Sequence, residues 1–189
     1  MRVDKEELFK VLVKEHGLNL YLGAGFSVYA YNSDGDTLPL GNEINKRLIK
    51  LFSLDDTRKF NLSKTCQKIK SSNADMLEKV LKETYTVKDF DEEYLKITRL
   101  PIKNIVTINI DNLIEKIYDH PKSSTNISDT HIYGTAGKEN TVSLFKLHGS
   151  VTYPLGSPMS FTEVELTNLF IKDSKLFESV SYELSKAPT

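Results

Sequence analysis

Three short segments hold residue types from which a site could be built. The first is Gly23-Ala24-Gly25-Phe26-Ser27, directly after the apolar run Leu18-Asn-Leu-Tyr-Leu22. A Gly-x-Gly turn between a strand and a helix exposes backbone N–H groups, and the helix start adds partial positive charge. Together they suit a pair of phosphates. The same turn also serves as a tight packing corner. The third glycine of the usual dinucleotide fingerprint would fall at Val28, so that fingerprint fails. The second segment is Thr107-Ile108-Asn109-Ile110-Asp111. An Asn and an Asp at a strand's carboxyl end aim polar groups into one pocket. Equally, either residue caps the helix that runs on to Tyr118. The third is Lys146-Leu147-His148-Gly149-Ser150. A histidine at a strand terminus suits proton transfer near neutral pH, or it is a half-buried group bonded to backbone. His16, His120 and His131 sit in surface-like contexts. Ser27 is not in a Gly-x-Ser-x-Gly elbow, which argues against a Ser27–His148–Asp111 hydrolase triad. Gly134-Thr-Ala-Gly137-Lys138 lacks the spacing and the hydroxyl residue of a phosphate loop.

The elements that must position these segments follow from apolar periodicity. Lys5 to Glu15 reads as an amphipathic helix with Leu8, Val11 and Leu12 on one face, ended by Gly17. Leu18 to Leu22 has strand length. Residues 31 to 41 carry Asn, Asp, Gly and Pro and read as a loop. Asn42 caps a helix with Ile44, Leu48, Ile49 and Phe52 on one side. Residues 53 to 72 are polar with weak periodicity, and Asn73 caps a helix with Leu77, Val80 and Leu81 inward. Glu92 to Arg99 is a further short helix, closed by Leu100-Pro101. Ile102 to Asn109 and Val142 to Leu147 are buried strands. Asp111 starts a helix carrying Leu113, Ile114 and Ile117. Residues 119 to 130 form a loop, His131-Ile-Tyr a short strand, and Leu166 to Leu184 more helix.

Strands that alternate with helices imply right-handed crossovers and a parallel sheet. The expected fold is therefore α/β: a Rossmann-like parallel sheet flanked by helices, with a helical insert near 42–99. In such a fold the functional loops gather at the carboxyl ends of the strands. Residues 23 to 27, 107 to 112 and 148 to 150 all lie there.

Composition bounds the function. A chain of 189 residues can bury a core without disulfide or metal staples and reads as a single domain, 1–189. Lys plus Arg is 25 against 26 Asp plus Glu, so the basic excess of a nucleic-acid binder is missing and no direct nucleic-acid binding is expected. Lys64, Lys68 and Lys70 read as a solvated face. The single cysteine, Cys66, forms neither an internal disulfide nor a multi-thiolate zinc site, which suits a reducing, cytoplasmic setting. No metal-ligand spacing is evident. No apolar stretch approaches the ~18 residues of a membrane span, so no membrane association is expected.

Together, the three segments resemble the sirtuin family. Gly23 to Ser27 is similar to the Gly-Ala-Gly-x-Ser motif of the sirtuin NAD site. Thr107 to Asp111 is similar to Thr-Gln-Asn-Ile-Asp, with Ile108 in place of Gln. Lys146 to Gly149 resembles the segment bearing the catalytic histidine. Leu100-Pro101, a strand, Asn-x-Asp and Leu113-Ile114-Glu115 resemble the divergent bacterial sirtuin-like domains of antiphage defence.

The resemblance implies a substrate, NAD, and roles. Gly23, Ala24, Gly25 and Ser27 would cradle the pyrophosphate, with Thr107 part of the cofactor-binding set. Asp111 would hold the carboxamide. Asn109 would bind ribose or orient water, and His148 would be the general base. The product pair is nicotinamide and ADP-ribose, through an oxocarbenium-like transition state.

Departures shape this reading. One cysteine cannot build the four-cysteine zinc ribbon of the deacylases, and their Gly-Ile-Pro-Asp-Phe-Arg segment is absent. No zinc is therefore expected. The expectation is an NAD hydrolase acting as an antiphage-defence effector, with a homo-oligomer or a defence-system protein as partner. The alternatives are a non-catalytic module sensing NAD or ADP-ribose, and a protein deacylase or ADP-ribosyltransferase. The later strands of the family have no counterpart before Thr189, so the sheet is expected to be truncated at its C-terminal end.

Overall fold

Short stretches rich in apolar and β-branched residues become the centre of the sheet. The computed structural model describes residues 5–55, 60–128, 141–152, 159–162, 164–165, 167–168 and 174–185. The main sheet comprises β1 (Leu18–Leu22), β4 (Ile102–Thr107), β5 (Asn126–Ser128) and β6 (Thr141–Lys146), in the order β1-β4-β6-β5. Every neighbouring pair is parallel. The register is what matters for function. Thr107 pairs with Leu22 on one side and with Lys146 on the other. The three strands therefore end level, and the chain leaves all of them at the same edge of the sheet.

Side chains alternate across the sheet, as strand geometry requires. Ile105, Val142 and Leu144 pack with Leu113, Ile114 and Ile117 of α4 (Leu113–Tyr118). Val106 and Phe145 face the other way and pack with Val180 of the C-terminal helix α5 (Ser174–Ser185). Each fully buried residue of this kind contributes about 1.5–3 kcal/mol. The result is an α/β, Rossmann-like parallel sheet with helices on both faces.

The other helices are α1 (Lys5–His16), α2 (Gly41–Leu51) and α3 (Leu62–Tyr85). Ile44, Leu48, Cys66, Ile69, Leu77 and Leu81 of α2 and α3 form a second core, against Ile110, Val151 and Met159. This helical layer sits over the carboxyl edge of the sheet. Two-residue strands β2 (Ala30–Tyr31) and β3 (Asp89–Phe90) pair antiparallel beside it. Glu92–Arg99 is helical, as expected, but of the tighter 3-10 kind.

Several local expectations are corrected. The start of α2 is capped by Glu43, whose carboxylate accepts the Leu40 N–H at 2.9 Å, with Asn42 already inside the helix. α3 begins at Leu62, where Asn61 accepts the Lys64 N–H at 2.9 Å; Asn73 is instead a break within that helix, at φ −143° and ψ 49°. The 119–130 stretch is not all loop, because Asn126–Ser128 forms β5. Val11 of α1, expected to face inward, is exposed. The strand expected at His131-Ile-Tyr and the Gly134–Lys138 stretch lie outside the described residues. Among the described residues no helix is long and apolar enough to cross a membrane.

Candidate functional site

Thr107, the last residue of β4, ties the three strand ends together. Its hydroxyl donates to Leu22 O at 3.0 Å and accepts the N–H of Asn109 at 3.0 Å. That turns the chain so that the Asn109 side chain reaches back to the glycine turn. The amide nitrogen of Asn109 donates to Gly23 O at 3.0 Å and to Ser27 Oγ at 3.1 Å. Asn109 is thus a clamp between two segments, not a helix cap.

The glycine segment departs from its sequence reading in one respect. It runs into a four-residue 3-10 helix, Ala24–Ser27, and then into β2, not into a longer α-helix. The charge expected from a helix start is correspondingly small. Phe26 N–H donates to Gly23 O at 2.9 Å, which leaves the N–H groups of Ala24 and Gly25 outside the turn's own bonding.

Asp111 satisfies both readings of its motif. Its carboxylate accepts the N–H of Leu113 at 3.1 Å, a cap-like bond at the start of α4, and it also lines the cavity described below. It is 5% exposed. Burial pushes its carboxyl above the usual range, opposed by the Leu113 N–H, the Lys146 charge and the Ser27 hydroxyl.

His148 stands two residues past β6. Gly149 beside it has φ +80°, a left-handed conformation that glycine adopts without penalty and that turns the chain sharply there. The carbonyl of His148 accepts the N–H of Ser160 at 3.0 Å. Among the described residues nothing hydrogen-bonds its imidazole. Burial pushes the imidazole below its ordinary value, so the neutral form dominates at neutral pH.

Ala24, Ser27, Asn109, Asp111 and His148 line one cavity of about 310 Å³. Its remaining walls are mostly apolar: Leu38 and Pro39 from the loop before α2, Tyr85 from the end of α3, and Phe161. Tyr85 donates to Pro39 O at 3.0 Å, which pins that loop in place. Gly23 and Thr107 stand behind the wall as its hydrogen-bonded support. Gly25 faces the other way, into a second, more open hollow of about 680 Å³ shared with Phe26, Tyr29 and Tyr94. The glycine turn is therefore a partition between two cavities.

Sequence reasoning missed Lys146 as an individual residue. It is 3% exposed, and its ammonium donates to Asp111 O, to Glu115 Oε1 at 2.8 Å and to Ser150 Oγ at 2.9 Å. The signal was a lysine ending an otherwise buried strand, since lysine is almost never fully buried unless paired. Tyr85 and Phe161 carried no such signal. Among the described residues no group of three or more His, Cys, Asp or Glu side chains is placed to hold a metal ion.

Compared with known proteins, residues 103–189 match the family model of the SIR2-like domain. That stretch contains the Asn109–Asp111 and Lys146–Ser150 segments and leaves the glycine turn outside. No curated protein matches the chain. Three level parallel strands and a cavity with polar groups at their carboxyl ends accompany this match, and residues 103–189 are similar to a SIR2-like domain.

Proposed function

We propose that the protein hydrolyses NAD at the nicotinamide–ribose bond, releasing nicotinamide and ADP-ribose, as an effector of bacterial antiphage defence acting in the cytoplasm with copies of itself or a defence partner. The SIR2-like match supports an NAD-related function in general. The observation that carries the hydrolytic reading is the convergence of Ser27, Asn109, Asp111 and His148 on one cavity.

The cavity volume of about 310 Å³ is at the small end of ligand sites, which run from about 300 to 1,000 Å³. It suits the nicotinamide riboside end of the dinucleotide. In this reading Asp111 accepts from the carboxamide N–H groups. Asn109 has both amide hydrogens committed to Gly23 and Ser27. It therefore meets a ribose hydroxyl or a water through its carbonyl oxygen, as an acceptor. His148, neutral because it is half buried, takes the proton of the attacking water. The water oxygen bonds to the ribose carbon as the carbon–nitrogen bond breaks, and the ring leaves uncharged. Residues 23 to 27 border the path of the pyrophosphate.

The test is direct. The protein is incubated with NAD and, separately, with NADP, and the products are separated by chromatography. Nicotinamide and ADP-ribose in equal amounts are expected from NAD. Tight binding with no nicotinamide released, in the assembled state as well, would replace the hydrolase with a sensing module.

A further inference from the structure

A buried lysine is costly unless its charge and all its protons are satisfied. Strand pairing does not require one at the end of β6. Yet Lys146 is nearly inaccessible, and its ammonium reaches three separate pieces of chain. It donates to the carbonyl of Asp111 and lies 3.5 Å from the carbonyl of Ile110, both on the segment that leaves β4. It pairs with Glu115 on α4 at 2.8 Å. It donates to Ser150 Oγ at 2.9 Å, on the turn that carries His148, and Ser150 lies 3.0 Å from Thr152 Oγ1. The backbone repeats the same link, since Val151 N–H donates to Ile110 O at 2.8 Å.

We propose that Lys146 is a positioning residue of the cavity: its buried ammonium holds the segments bearing Asp111 and His148 in one frame and sets a fixed positive charge beside the Asp111 carboxylate. Its relevance to turnover rests on the NAD reading above; its effect on Asp111 does not. The groups facing Asp111 are Lys146 from β6, Glu115 from α4, Tyr85 from the end of α3, Tyr94 from the 3-10 helix Glu92–Arg99, and His148 across the cavity. Lys146 contributes the ammonium in this set. Glu115 takes up part of that charge, so the two side chains act on Asp111 in opposite directions.

The experiment follows the carboxyl carbon of Asp111 by NMR in the full chain labelled at aspartate, with Asp111→Asn to assign the signal. Lys146→Met removes the charge at similar length and should raise the Asp111 titration midpoint by about one pH unit or more. Glu115→Gln keeps an acceptor for the ammonium and should lower it. Opposite shifts in folded variants are not what simple packing damage produces. Should Lys146→Met fail to fold, the direction in Glu115→Gln alone decides. Midpoints unchanged within about 0.3 unit in the folded variants, or an upward shift in Glu115→Gln, would overturn the proposal. The titration needs no NAD, so a failure here is separable from an absence of hydrolysis. If hydrolysis is present, Lys146→Met should also lower kcat at least ~10-fold with a smaller change in KM.

Discussion

His148 is the residue on which the chemistry turns. Replacing it with alanine leaves the glycine turn and Asp111 untouched, so NAD turnover should fall at least ~100-fold while affinity, measured by calorimetry, changes far less. The pH dependence has a defined sign. An ordinary imidazole titrates near ~6.5, and burial holds His148 below that. A base must be neutral, so a rate limited by this step should stay level as pH falls through ~6.5 and decline only below it. A decline centred above that value would remove His148 from the role. Gly25 gives a second test at this scale. A Cβ there meets nothing within 4 Å, and its φ is not positive, so Gly25→Val should fold normally. Loss of NAD affinity in that variant would mean the dinucleotide crosses the partition into the hollow Gly25 faces. Unchanged affinity would take Gly25 out of the site. The placement of Asn109, Asp111 and His148 on one cavity was legible beforehand, because they sit at strand ends that their flanking apolar residues mark. The clamp from Asn109 to Gly23 and Ser27 was not, because it joins residues 86 and 82 positions apart. No local pattern encodes such a pairing.

The central elements were readable for a physical reason. β1, β4 and β6 are short stretches rich in Leu, Ile, Val and Phe, interrupted by Asn19, by Lys103 and Asn104, and by Ser143, and β-branched residues at that density fit a strand buried on both faces. β5 is Asn-Ile-Ser, which has no strand signature of its own and is ordered by pairing with β6. The first half of α3 was hidden differently. Its buried face includes Thr65 and Cys66 beside Ile69, and the surrounding Ser and Lys residues dilute the periodicity. The junction of α1 with β1 carries its own prediction. Gly17 has φ +72°, and a Cβ there would lie 3.0 Å from both Lys103 Cβ and Pro101 O. Strain and crowding add, so Gly17→Ala should destabilise the fold by about 1–3 kcal/mol in chemical denaturation. A change below about 0.3 kcal/mol would show that the junction relaxes freely.

For the whole molecule, Cys66 is a built-in reporter. It is 1% exposed in the helical core, and burial pushes its thiol up to about 12. Alkylation at mildly alkaline pH should therefore proceed only as fast as the helical layer opens, and should accelerate sharply across the denaturation midpoint. Rapid labelling of the native protein would mean that this layer is loosely held. Metal content is a second global test. Elemental analysis should find no stoichiometric zinc, and one zinc per chain would reopen the deacylase reading.

The cavity takes its walls from residues as distant in the chain as Ala24 and Phe161. Synthesis runs from the amino terminus, and β1 gains its neighbour β4 only after some eighty intervening residues have been made. His148 arrives later still, and Phe161 last. On the proposed reading, an activity able to drain a cell's NAD is thereby withheld from the nascent chain: until Phe161 has left the ribosome, no emerging chain carries the whole site.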